Sequence, residues 1–267
     1  MTTLYWILLF CLLGGVLSVI AASVFLLFPE NIRTRLLPHF VSFAIGALLG
    51  AAFLGLLPHA LESPGVEDFH VITGSVLVGL LGFFILEKMV LWRHCHSEHC
   101  EIHGTDQHDH DYAHEEAKKS ATGVMILVGD GIHNLVDGVL IAAAFLTDTH
   151  LGIVTSMAVA AHEIPQEVGD FAILLHSGYS RRKAFVYNML ASLATLVGGV
   201  LAYYSLQQAQ GVLPYILAIA ASSFIYVAVA DLIPGLHRRA QIGATVQQVL
   251  LISAGVLVIY FTHSGMH

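Results

Sequence analysis

Long apolar runs recur along the chain at lengths that match a lipid bilayer. A helix rises 1.5 Å per residue, so crossing roughly 30 Å of hydrocarbon takes about 20 consecutive, mostly apolar residues. Runs of this kind occupy 3–27, 40–61, 71–92, 122–147, 151–176, 183–206, 212–234 and 247–263. They predict eight membrane-spanning helices, numbered 1 to 8 here. The fold expected is therefore an all-α polytopic membrane protein with a single transmembrane domain over 1–267. One sizeable polar segment interrupts the pattern, residues 93–121, "RHCHSEHCEIHGTDQHDHDYAHEEAKKSA". It has too few apolar side chains to bury a core of its own and reads as a disordered loop between helices 3 and 4.

Composition supports the bilayer as solvent. Hydrophobic residues make up 56% of the chain and charged residues 11%, with a mean hydropathy of +0.75, whereas a soluble domain carries roughly 25% charged residues. The opening "MTTLYW" is too uncharged, and helix 1 too long, for a cleaved signal peptide. The 11 basic residues are Arg33, Arg35, Lys88, Arg93, Lys118, Lys119, Arg181, Arg182, Lys183, Arg238 and Arg239. With eight crossings all of them fall on one side. The positive-inside rule makes that side cytoplasmic, which puts both termini outside and suits a plasma (inner) membrane. A net charge of −8 argues against nucleic acid or anionic lipid as partner.

Against this apolar background a few polar residues fall at membrane depth. An ionisable group there costs about 2.5 kcal/mol or more, so it normally faces a bundle interior or an aqueous cavity and marks a pathway or site. In helix 4, Asp130, His133, Asn134 and Asp137 share one face. In helix 5, His162, Glu163, Gln166, Glu167 and Asp170 recur at three- and four-residue spacing and form a second stripe. The two stripes reach mid-span at His133–Asp137 and His162–Gln166. Their nitrogen and oxygen donors suit a borderline divalent ion, with Asp137 and Glu163 balancing its charge. Pro165 adds to this by freeing the carbonyl of Ala161 from helix 5's own ladder. The 93–121 loop holds seven of the 17 histidines together with Cys95 and Cys100, again donors for zinc and its neighbours, with the thiols kept reduced in the cytoplasm. Cys11, alone in helix 1, reads as a packing residue.

The motifs "HNLVDG" and "HEIPQEVGD", with "LPHALE" in helix 2 and "YVAVADLIPGL" in helix 7, resemble the signatures of the ZIP (Zrt-/Irt-like) family of divalent metal transporters. Helix 5 is most similar to the subfamily pattern C-H-E-x-P-H-E-x-G-D, from which it departs at Ala161 and Gln166. The resemblance implies a 3+2+3 inverted-repeat bundle with helices 4 and 5 as the central pair. It also implies a binuclear centre: His133, Asp137, His162 and Gln166 for one ion, and Asn134, Asp137, Glu163 and Gln166 for the other, bridged by Asp137. Asn188 and Ser192 of helix 6 stand as sources of a further ligand. The expected activity is uptake of Zn²⁺, with related divalent ions alongside, into the cytoplasm. Zinc is then substrate, no organic cofactor is expected, the partners are metal ions and the bilayer, and a homodimer is allowed.

The remaining polar residues sort by depth. His59 and Glu62 end helix 2, followed by Glu67, Asp68 and His70, an acidic mouth that would concentrate cations. Asp130, Asp170, His176 and Asp231, with Glu167 nearby, lie toward the other side as an exit. His39, His150, His263 and His267 receive no role. The rival function is an intramembrane zinc-dependent hydrolase. Its H-E-x-x-H motif needs a second histidine where this chain has Gln166, and no nucleophile or oxyanion motif accompanies it, so a non-enzyme is expected.

Overall fold

The computed structural model describes residues 2–95, 111–237 and 241–265, which hold helices and no strand. Eight long helical segments follow one another: α1 Thr2–Phe25, α2 Glu30–Leu61, α3 Phe69–Cys95, α4 Asp111–Thr147, α5 Thr149–His176, α6 Arg181–Leu206, α7 Gln210–Leu236 and α8 Ile242–Ser264. All except α5 contain a stretch long and apolar enough to cross a membrane. At 28 residues α5 is long enough, but its polar stripe lowers its hydropathy. Most of the His-rich tract, residues 96–110, lies outside the described residues, as do Arg238, Arg239 and His267.

The sequence and the structure differ at two helix starts. Helix α4 begins at Asp111 rather than 122, because Glu115, Glu116, Lys118 and Lys119, which end the apolar run, are strong helix formers, as are Ala113 and Ala117 among them. Residues 93–95 and 111–121 of the predicted loop are thus helical. Helix α2 begins at Glu30 rather than 40. Arg33, Arg35 and His39 interrupt the apolar run there without interrupting the backbone ladder. Its start is set by Pro29, extended at ψ 148°, which cannot donate and so sits naturally before a first turn.

Two helices open into a π-turn, α2 over Ala51–Leu56 and α7 over Val227–Leu232, and in each a proline stands two residues past the π-segment, Pro58 and Pro234. Proline lacks the N–H that would close an α-turn and its ring crowds the carbonyl four residues back, so the backbone widens there.

Packing is led by α4 against α6 and α2 against α8, with α5 on α4, α3 on α7, and α1 across α5 and α6. Glycines permit the α4–α6 approach: a Cβ on Gly138 would lie 2.0 Å from the Thr195 carbonyl oxygen, and one on Gly198 2.0 Å from that of Leu135. Small residues at such crossings are how membrane helices gain contact where apolar burial alone offers little. Outward faces stay apolar, including Leu77, Val78, Leu81 and Ile85 on α3 and Val249, Leu250 and Phe261 on α8. In water these faces would aggregate; in hydrocarbon they are solvated.

Candidate metal centre

At the α4–α5 contact the two polar stripes meet. His133 Nε2 lies 3.2 Å from His162 Nε2, 3.5 Å from Glu163 Oε1 and 3.8 Å from Asp137 Oδ2. His162 Nε2 lies 3.4 Å from Asp137 Oδ2 and 3.9 Å from Glu163 Oε1. One donor atom from each of the four residues falls within 4.8 Å of all the others. Donors on a tetrahedral zinc, with bonds near 2.0–2.1 Å, stand roughly 3.3 Å apart. Three of the six separations, 3.2, 3.4 and 3.5 Å, match that spacing and the others are longer, up to 4.8 Å, so side-chain rotations would close the four around one ion.

Each side chain is placed by its helix. His133 and Asp137 are one α4 turn apart, and His162 and Glu163 are neighbours on the α5 face that packs onto it. The His162 Nδ1–H donates to the Ala158 carbonyl at 3.0 Å, which fixes the tautomer and leaves the Nε2 lone pair facing the cluster. Its ring packs edge-on against buried Phe224 of α7, centroids 6.2 Å apart. Asp137, His162 and Glu163 are 1% exposed, while His133 keeps a 21% exposed side chain as the point of access. All four carboxylate oxygens of Asp137 and Glu163 lack a hydrogen-bond partner. Buried carboxylates left so are costly, and a divalent cation between them removes the cost.

Asn134 is not part of this quartet. It is fully buried, but its Nδ2 donates to Asp130 Oδ1 at 2.8 Å and to the Asp130 carbonyl at 3.2 Å, and its Oδ1 accepts from Thr195 Oγ1 at 2.7 Å. Gln166 is half-buried one turn beyond His162. On α6 the Ser192 hydroxyl donates to the Met189 carbonyl of its own helix. Thr195 was legible only as the third member of an Asn188, Ser192, Thr195 stripe at helical spacing.

The other candidates form two groups. Asp130, Glu167 and Asn188 are buried one turn along from the quartet, with half-buried Asp170 and exposed Asp231 within electrostatic reach. At the opposite end His59 Nδ1 pairs with the Gly55 carbonyl at 2.9 Å, and its ring meets that of His263, centroids 5.4 Å apart. Asp148 stands within electrostatic reach of His59 and His150. His263, His150 and Asp148 thus join His59, although nothing in their spacing marks them. Glu62 and Glu67 are exposed, His176 is exposed, and His70 pairs locally with Asp68 at 2.9 Å.

The sequence model described as ZIP zinc transporter matches residues 2–263. Among curated proteins, the Zinc transporter ZIP13 of Pongo abelii is 33% identical over 271 residues, covering 93% of this chain and 76% of that protein. The Zinc transporter zipt-7.2 of Caenorhabditis elegans is 30% identical over 269 residues, covering 84% of this chain and 58% of that protein. The human Zinc transporter ZIP10 is 39% identical over 152 residues, covering 55% of this chain and 18% of that much longer protein.

Proposed function

The chain belongs to the ZIP zinc transporter family, and from that premise we propose that it carries divalent metal ions, zinc foremost, through the quartet between α4 and α5 into the cytoplasm. As a family member it is an integral membrane transporter rather than an enzyme, and the hydrolase reading has no support. The observation that carries the proposed site is the quartet itself: two imidazoles and two carboxylates at near-tetrahedral separations, with the carboxylate oxygens unsatisfied.

His133, Asp137, His162 and Glu163 are the ligands in this reading, and the α4–α5 pair is the central unit of the 3+2+3 inverted repeat. Asn134 serves packing instead, which favours one ion at the centre over two. Gln166, a weaker donor than imidazole, stands next to the ion as it leaves. Nitrogen and oxygen ligands without a thiolate hold zinc loosely enough to release it. The ion enters past His59 and Glu62 and leaves past Asp130, Glu167, Asp170, Asn188 and Asp231 toward the α5–α6 connection, where Arg181, Arg182 and Lys183 mark the cytoplasmic side of the plasma membrane. Both termini then face outward. The His-rich segment would accept the ion in the cytoplasm, and the exposed apolar faces leave room for a homodimer.

Zinc uptake into proteoliposomes, with manganese, iron and cadmium in competition, tests this reading. His133→Ala and Asp137→Ala should each abolish uptake while the purified protein keeps its size-exclusion profile. Near-normal uptake by both would remove the quartet from the pathway.

A further inference from the structure

A second set of buried, unsatisfied polar atoms lies one turn further along α5. Glu167 follows Glu163 by four residues, about 6 Å along the helix axis. It is fully buried, and neither of its carboxylate oxygens has a hydrogen-bond partner. Beside it on α6 is Asn188, 1% exposed, whose amide oxygen and nitrogen are both without a partner. Across from them on α4 is Asp130, 5% exposed, whose Oδ2 is unpartnered. The other Asp130 oxygen is held by Asn134, itself held by Thr195. This chain from α6 through Asn134 therefore fixes one oxygen of Asp130 and leaves the other free. Glu167 lies within electrostatic reach of Asp130 and of Asp170, a turn below, and its carboxylate is also within reach of the Asn188 amide.

Three helices thus bring buried carboxylate and amide groups within reach of one another, and neither Glu167 oxygen nor Asp130 Oδ2 is satisfied by a hydrogen bond of good geometry. Two carboxylates buried in mutual reach cost several kcal/mol unless a cation joins them. The donors here are all oxygen, with no imidazole and no thiolate. Such a set suits hard cations and favours manganese relative to zinc more than the histidine-bearing quartet does.

We propose that Asp130, Glu167 and Asn188 form a second, all-oxygen site for a divalent cation, which takes the ion as it leaves the quartet. The proposal rests on the quartet being the transport centre, and it gives Asn134 a positioning role in place of ligation. An ion stepping from a site with two nitrogens to one with none trades tight for loose coordination, which favours onward release.

Mn²⁺ binding to the purified full chain tests this, with free ion followed by electron paramagnetic resonance and bound ion examined for ¹⁴N couplings from imidazole. The reference protein for every comparison, called wild type here, is the full chain with the seven histidines and two cysteines of residues 93–121 replaced by serine, and it should bind two Mn²⁺. Glu167→Gln and Asp130→Asn, both near-isosteric, should each bind one, and that ion should keep its nitrogen couplings. His133→Ala/His162→Ala should also retain one, without nitrogen couplings. Asn188→Ala, which leaves both carboxylates, should weaken the second ion about tenfold or more. Two ions in Glu167→Gln, or nitrogen couplings on the ion that Glu167→Gln loses, would overturn the second site. Absence of nitrogen couplings in the wild type, with one ion still lost in Glu167→Gln, would instead overturn the quartet and leave the oxygen site standing.

Discussion

Replacing Thr195 with valine separates the two roles open to Asn134. The substitution keeps the side-chain shape and removes the hydroxyl that donates to Asn134 Oδ1 at 2.7 Å. Both residues are buried, at 1% and 0% exposure, so water does not take the donor's place. The amide oxygen is left unsatisfied, at a cost of roughly 1–3 kcal/mol. The energy shared by the two side chains is smaller, since interhelical hydrogen bonds in membranes couple by about 0.6 kcal/mol on average and about 1.7 at most. A cycle with Asn134→Ala should therefore give two substantial single losses and a coupling of roughly 0.6–1.7 kcal/mol between them.

The readouts are reversible unfolding in mixed detergent and zinc affinity by calorimetry. Thr195→Val should lower stability and leave zinc affinity within about threefold of wild type, a shift under 0.7 kcal/mol. Asn134→Ala should do likewise at the quartet, whereas His162→Ala should cost at least a hundredfold, since even a ligand's supporting partner is worth tenfold to a hundredfold. A zinc affinity in Asn134→Ala reduced as far as in His162→Ala would refute the reasoning and return Asn134 to the metal. Unchanged stability in Thr195→Val would refute the hydrogen bond.

Two further outcomes follow from the same geometry. Gln166→His places an imidazole one turn from His162 and should tighten zinc binding, lower the half-saturating concentration for uptake and, where release limits turnover, slow the maximal rate; unchanged calorimetric affinity would take Gln166 out of the site. Asp148 caps α5, accepting from the His150 and Leu151 N–H groups at 2.8 and 2.9 Å, so Asp148→Ala should cost about 1 kcal/mol. Partial burial pushes the Asp148 carboxyl up, but those N–H groups outweigh it and hold it below the usual carboxylate range. The capping stabilisation is therefore present in full above the unfolded value of about 3.9 and is lost as pH falls through the lower folded value. A wild-type minus variant difference that stays constant from pH 6 to pH 3 would contradict this.

Much of the architecture was legible because membrane helices are long and their solvent is uniform: apolar runs place the spans, and polar residues at helical spacing mark the buried faces. The rule failed where backbone and side chain part company. Helix α2 continues back to Glu30 through Arg33, Arg35 and His39 because a helix ladder needs only N–H and C=O groups, and α4 starts at Asp111 for the same reason. Contacts distant in sequence left no local mark. His59 meets His263 across nearly the whole chain, and Thr195 reaches Asn134 across 61 residues.

The family resemblance placed Asn134 among the metal ligands, whereas in the fold its polar atoms are already hydrogen-bonded to Asp130 and Thr195, and a second asparagine gives the contrast. Asn134 and Asn188 both sit on polar stripes, both are buried to 1% exposure or less, and nothing in the sequence separates them. In the fold, Thr195 satisfies the oxygen of Asn134 and Asp130 satisfies its nitrogen, while neither polar atom of Asn188 finds a partner. A buried amide with its hydrogen bonds made is holding helices together, and an ion would have to break those bonds to use it. A buried amide with none made has already incurred the desolvation cost that a ligand must meet, so a cation recovers that cost by binding there. The same test distinguishes the carboxylates: the oxygens left unsatisfied on Asp137, Glu163, Glu167 and Asp130 run along one side of α4 and α5. In the proposed pathway that line, more than the count of polar residues in each helix, is where an ion would be held as it crosses.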